Sequence, residues 1–259
     1  MASRRLARWI PQQHGAWAWL LAPPLVGACL AGWTWRFGLF IIAWLAGYSA
    51  FNALSRWWRV PPARRRPWLT PLIVYGLVAL LGGSGLCWSE PLLWRWIPPV
   101  AVLFAVPVVA TWCHAERSWL NNLVTTLVAC GMTVVAAGLT AAAVGRAEAS
   151  WWPPGSDDAA AWLAALVLFA YFFGTVFYVR ANFRGRLQTG PYVAAIIYHG
   201  VVGLAAVWLS WWLAGVGLLL LARAIVVPRL AKRLPAKYIG FGEFAATIIV
   251  SVVSVLVLG

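Results

Sequence analysis

The sequence predicts an all-α fold, a polytopic membrane bundle of about nine transmembrane helices forming a single domain over residues 1–259. Three observations carry that prediction: the composition, the spacing of apolar runs of bilayer length, and the placement of basic residues between them. Of 259 residues, 63% are hydrophobic, 10% are charged and 20 are tryptophan. Soluble domains are about half apolar and a quarter charged, so this chain is built for lipid. The net charge of +14 would suggest nucleic acid in a soluble protein. Here the basic residues fall in short clusters between apolar runs, which points to membrane lipids and away from nucleic acid.

A spanning helix needs about 20 mostly apolar residues. Charged and Pro/Gly-rich punctuation divides the chain into such segments at about 16–33, 37–55, 69–88, 95–113, 118–145, 159–179, 192–209, 211–227 and 240–258. The first follows Arg4, Arg5 and Arg8 and lacks a small-residue cleavage site, so it reads as a retained helix. The run from Tyr192 to Val227 is too long for one span, and Trp208, Trp211 and Trp212 suit an interfacial turn near Ser210.

Translocated short loops are depleted of Lys and Arg. With the N-terminus in the cytoplasm, nine helices place 17 of the 20 basic residues on the cytoplasmic side. They are Arg4, Arg5, Arg8, Arg56, Arg59, Arg64, Arg65, Arg66, Arg117, Arg180, Arg184, Arg186, Arg223, Arg229, Lys232, Arg233 and Lys237. Arg36, Arg95 and Arg146 fall on the other side. One helix more or fewer scrambles this partition. The expected location is a cytoplasmic membrane, bacterial by the family resemblance given below, with the C-terminus outside.

Polar residues inside spans are costly, so their placement is informative. Tyr48, Asn52 and Ser55 share one face of the second helix. The fifth follows Glu116 and Arg117 and carries Ser118, Asn122 and Thr126 on one stripe, with Asn121 and Thr125 beside it. Tyr171, Thr175, Tyr178 and Asn182 form a stripe that descends to Arg180 and Arg184. Tyr192 and His199 share a face of the seventh helix, and Glu243, Thr247 and Ser251 one of the ninth. Any one stripe is explained by hydrogen bonding between helices. Together, weighted to one membrane face, they suggest a cytoplasm-facing polar cavity. Its candidate ligand-binding residues are Tyr48, Asn52, Arg56, Arg117, Asn121, Asn122, Tyr178, Arg180 and Arg184. Candidate acid/base groups are His14, His199, Glu116 and Glu243, although an internal ion pair or a core histidine would equally explain Glu243 and His199. Each glutamate is expected to pair with a group among His14, Arg56, Arg117, Arg180, Arg184 and His199. Cys29, Cys87, Cys113 and Cys130 are widely spaced and predict neither a disulfide nor a metal site. No cofactor is implied.

Pro11 to Ala18, with Gln13, His14, Gly15, Ala16 and Trp17 as its core, resembles the YwiC-like family of bacterial membrane proteins. The Glu116–Asn122 and Gly174–Arg180 segments, the Tyr198–His199 pair, and Gly240 with Glu243 extend the resemblance along nearly the whole chain. It implies a membrane protein and no particular reaction. A more distant resemblance is to the UbiA superfamily of intramembrane prenyltransferases, which implies nine helices, a cytoplasmic N-terminus and two Asp-rich, magnesium-binding motifs. Asn52 stands where the first motif's Asn would be, but Ala53, Arg56 and Val60 occupy its acidic positions, and Arg180 and Arg184 replace the second motif's carboxylates. Magnesium-dependent prenyl transfer is therefore not expected. Arginines at those positions suit a phosphate or carboxylate bound without metal. The expected ligand is an anionic amphiphile, a lipid or isoprenoid, held by an enzyme or binding protein. A small-solute transporter and a noncatalytic scaffold subunit are the alternatives.

Overall fold

A computed structural model describes residues 8–11, 14–143, 151–184, 188–230 and 236–259. Arg4, Arg5, Gln13, Arg146, Arg186, Lys232 and Arg233 lie outside these residues, as do the side chains of His14 and Arg184. Among the described residues there are nine long helices and no strand: α1 His14–Ala31, α2 Arg36–Arg59, α3 Arg66–Ser89, α4 Ile97–Trp112, α5 Trp119–Ala143, α6 Ala159–Val179, α7 Thr189–Ala206, α8 Trp211–Leu230 and α9 Ala236–Leu258. Eight are long and apolar enough to cross a bilayer, and α1 adds a shorter apolar stretch, Gly15–Ala31. This architecture fits a multi-pass membrane protein.

The helix count and the break beside Ser210 follow the sequence reading, but several boundaries move. α2 runs on to Arg59, and α8 continues through Pro228 to Leu230. Apolar runs end at the first charge, whereas backbone hydrogen bonding does not. A long arginine stem lets the helix continue while its charge reaches a polar layer or a partner. α6 ends in a π-helical turn, Arg180–Arg184.

α5 occupies the centre. In its apolar span 72% of residues are buried, against 11% for α3. It packs on α1, α4 and α6, while α9 closes against α1, α6 and α8. α2 with α3, and α7 with α8, form hairpins at the flanks. Small residues set the closest approaches, as expected where lipid supplies no hydrophobic drive between helices. A Cβ on Gly27 of α1 would lie 2.1 Å from the Thr133 carbonyl oxygen of α5, and one on Gly217 of α8 would lie 2.6 Å from Gly203 Cα of α7.

Alternating helix directions give the bundle two distinct ends. One gathers Arg59, Glu116, Arg117 and Arg180. The other carries the exposed tryptophans Trp33, Trp35, Trp88, Trp94, Trp151, Trp152, Trp208, Trp211 and Trp212. At this second end Arg36 pairs with Glu90 at 3.7 Å, the Trp96 indole donates to the Pro154 carbonyl at 3.0 Å, and Arg95 donates to the Trp152 carbonyl at 3.4 Å. Gly155 there has φ 81°, and a Cβ on it would lie 2.7 Å from Gly138 of α5, so the loop rests directly on that helix.

Candidate functional site

The polar stripes converge in two places. The first lies at the arginine-rich end between α2 and the α4–α5 connection. Arg59 contacts Glu116 at 2.5 Å, a charge contact whose side chains remain 39% and 25% exposed. Asn121 donates from Nδ2 to the Glu116 carbonyl at 2.7 Å, and Ser118 Oγ accepts from the Asn121 backbone N–H at 3.2 Å. The connection is thereby tied to the first turn of α5. Asn122 turns its carbonyl to the hydroxyls of Thr125 and Thr126. Arg180 reaches the same connection from α6, donating to the Arg117 carbonyl at 2.8 Å while its guanidinium lies 3.7 Å from the centre of the Trp119 ring.

The second and more enclosed cluster joins α6, α8 and α9. Arg223 of α8 donates through Nη1 to Oε1 of Glu243 on α9, and Thr175 of α6 donates to Oε2 at 3.1 Å. Tyr171 donates to the Glu243 carbonyl at 3.0 Å, with its hydroxyl 3.0 Å from Thr247 Oγ1. The Arg223 guanidinium lies 4.2 Å from the centre of the Tyr178 ring, a cation held over an aromatic face. Arg223 and Glu243 side chains are 12% and 18% exposed. An unpaired charge at such depth costs several kcal/mol of desolvation, and the mutual pair offsets it. Asn182 donates to the Tyr178 carbonyl at 2.8 Å, which supports the π-helical turn. His199 of α7 is buried, with Nδ1 2.8 Å from the Ala195 carbonyl oxygen.

Two expectations about pairing are corrected. Glu116 takes Arg59, and Glu243 takes Arg223, neither of which was among the expected partners. For Arg59 the cause is the boundary shift, whereas Arg223 already fell inside the 211–227 run and was grouped with the cytoplasmic basic residues by its charge. Arg59 ends a helix four residues longer than its apolar run, and Arg223 lies seven residues, about two turns, inside the end of α8. A lone arginine within the otherwise apolar Leu218–Val227 stretch was the available signal, since ionisable residues in spans pair with one another. Of the remaining candidates, Tyr48 and Asn52 are half-buried on α2, and Arg56 and Arg117 are exposed. Tyr178 belongs to the α6–α8–α9 cluster, whereas Asn121, Asn122 and Arg180 belong to the first.

An apolar groove of about 490 Å³ runs between α1 and α9. Trp17, Ala18, Leu21, Leu25 and Cys29 form one wall, and Phe244, Thr247, Ile248, Ser251 and Val255 the other. Its α1 wall spans twelve residue steps, about 18 Å. The rim residues Leu25, Phe244, Ile248 and Leu256 are exposed. Thr247 belongs to both the groove and the polar cluster, because its hydroxyl meets Tyr171 and donates to the Glu243 carbonyl at 2.9 Å.

Residues 10–137 match the family described as "YwiC-like protein". Over these residues, just under half of its length, the chain is similar to the YwiC-like family. It is similar to "Uncharacterized protein YwiC" of Bacillus subtilis (strain 168), 27% identical over 179 residues that cover 68% of each chain. No solved structure matches. The YwiC-like match takes in the Arg59–Glu116 contact and α1, and it ends before α6, so the Arg223–Glu243 pair lies beyond it.

Proposed function

We propose that this YwiC-like membrane protein binds a membrane amphiphile, with the hydrocarbon chain in the α1–α9 groove and the polar end at the α6–α8–α9 cluster. The observation that carries the reading is Thr247. It lines the groove, and its hydroxyl meets Tyr171 and the Glu243 carbonyl of the cluster, so one side chain is shared by an apolar trough about 18 Å long and the polar cluster beside it. A soluble ligand has no use for such a trough, and a lipid enters it sideways from the bilayer. On this reading the head group is held on the Glu243 and Arg223 side of the bundle rather than at Arg180 and Arg184. Arg180 is already engaged by Trp119 and the Arg117 carbonyl. The basic residues favour the arginine-rich end as the cytoplasmic one, which sets the head group in the inner half of the membrane.

Lipid mass spectrometry on gently purified protein tests this. The wild type is expected to retain a chain-bearing ligand, and Ser251→Trp, which fills the groove, to lose it. Equal lipid in both, with the variant folded, would remove the groove from the account.

A further inference from the structure

The chain ahead of α1 lies against the first turns of α3. Tyr75 of α3 donates its hydroxyl to the Trp9 carbonyl at 2.8 Å, and the two rings meet edge to face with their centres 5.8 Å apart. α3 begins at Arg66, a short turn beyond Arg59, so this contact belongs to the arginine-rich end of the bundle. Between the two segments is a cleft of about 310 Å³ lined by Arg8, Trp9, Pro67, Thr70 and Pro71. Arg8 and Thr70 are exposed, so a ligand reaches both without any rearrangement of the fold.

Several arginines at this end are already engaged. Arg59 meets Glu116, Arg65 donates to the Val60 carbonyl beside the Trp57 ring, and Arg229 donates to the Ile225 carbonyl. Arg8 has no ion pair and no hydrogen-bond partner among the described residues, and neither has the Thr70 hydroxyl. The cleft therefore brings a guanidinium and a hydroxyl to one open space, and no carboxylate lines it. Donors of this kind suit an anion with several oxygens.

The helix face beside the cleft indicates what carries that anion. Thr70, Ile73, Val74 and Leu77 are spaced by three, four and seven residues and share one face of α3. Ile73, Val74 and Leu77 are exposed, and they follow Thr70 toward the middle of the span. The face is thus polar at the end of the helix and apolar below it, the same order as a phospholipid standing in a bilayer. We propose that this cleft binds an anionic phospholipid, with its phosphate oxygens on Arg8 and the Thr70 hydroxyl and its acyl chains along Ile73, Val74 and Leu77. Trp9 sits at the level of the head group, where indoles are favoured. A choline head would bring a second cation toward Arg64 and Arg66, which immediately precede Pro67, so a net-negative lipid is preferred to a zwitterionic one. Free phosphate meets the same donors and gains nothing from the apolar face. The site is separate from the α1–α9 groove and does not depend on it.

The test is native mass spectrometry on the full chain in detergent with three probes, dioleoyl phosphatidylglycerol, dioleoyl phosphatidylcholine and inorganic phosphate. Phosphatidylglycerol should bind about tenfold tighter than phosphatidylcholine, the scale of one hydrogen bond to a charged group. Arg8→Gln should remove most of that preference, and Thr70→Val should weaken it. Arg64→Gln removes the same charge from an exposed residue outside the cleft and should leave the preference intact, as should Ser251→Trp in the groove. Equal affinity for the two lipids, or a preference unchanged by both Arg8→Gln and Thr70→Val, overturns the site. Equal losses from Arg8→Gln and Arg64→Gln reduce the effect to general positive charge and overturn it as well. Loss of the preference in Ser251→Trp assigns the bound lipid to the groove instead. Inorganic phosphate binding as tightly as phosphatidylglycerol assigns the cleft to the free ion and overturns the lipid source.

Discussion

Trp44 donates its indole N–H to the carbonyl of Leu20 at 3.0 Å, and Leu20 is the residue whose helical donor Pro24 lacks. A proline in a helix removes the bond to the carbonyl four residues back. In lipid no water replaces it, so a side chain from α2 completes α1. Trp44→Phe should cost about 1–3 kcal/mol, the scale of a buried acceptor left unmatched. The penalty should shrink when Pro24→Ala restores the backbone donor. Unfolding of the four combinations in mixed detergent measures the coupling, and an identical penalty on both backgrounds would refute it.

Gly27 of α1, inside the α1–α5 contact, and Gly131 of α5, outside it, offer a paired comparison. A Cβ on Gly27 meets the Thr133 backbone, and one on Gly131 meets nothing within 4 Å. Gly27→Ala should push the helices apart and cost about 1–3 kcal/mol or more, the scale of overpacking. Gly131→Ala should be neutral or gain up to about 1 kcal/mol from helix propensity. Thermal denaturation of the two variants decides, and a reversed order would show that α1 and α5 are not pressed together at that level.

The two glutamate pairs should respond differently to loss of their arginines. Arg59→Met removes a partly exposed contact and should change stability by about 0–1 kcal/mol, less at high salt. Arg223→Met strands Glu243 among apolar helices and should cost about 3–5 kcal/mol. Replacing both members by Arg223→Met with Glu243→Gln should recover much of that loss. Stability curves at low and high salt check all three variants, and equal penalties for the two arginines would deny the difference in burial its significance.

Topology can be read with reporters. A cytoplasmic reporter fused after Lys237 should be active and one fused after Gly259 inactive, because α9 lies between them. Activity at both positions would contradict the nine-helix arrangement in a bilayer.

Much of this arrangement was legible in the residues. Apolar runs give the nine helices, and the four-residue spacing places Tyr171 with Thr175 and Glu243 with Thr247 on faces that meet. Partner choice was not legible. Arg223 carries the same charge as the anchoring arginines near it in sequence, and only the length of α8 separates its position from theirs. The groove was hidden for another reason. Ala18, Ala22 and Ser251 are ordinary small residues until α1 is set beside α9, where their size leaves open space. The Trp44–Leu20 bond needs two helices in register, which periodicity along one helix does not report.

The loop lying on Gly138 has a mechanical consequence. Trp96 and Arg95 grip it from the turn before α4, Gly155 presses on α5, and Asp158 caps α6 through the Ala161 N–H at 2.9 Å. Three successive helices, α4, α5 and α6, are stapled at the tryptophan-rich end. Any movement that parts α4, α5 and α6 there must first break those backbone contacts. Among the described residues the opposite end has contacts made by the long side chains of Arg59 and Arg180, which can pivot without tearing a helix. The bundle is therefore expected to flex like a clothes-peg, its spring at the tryptophan end and its jaws among the arginines.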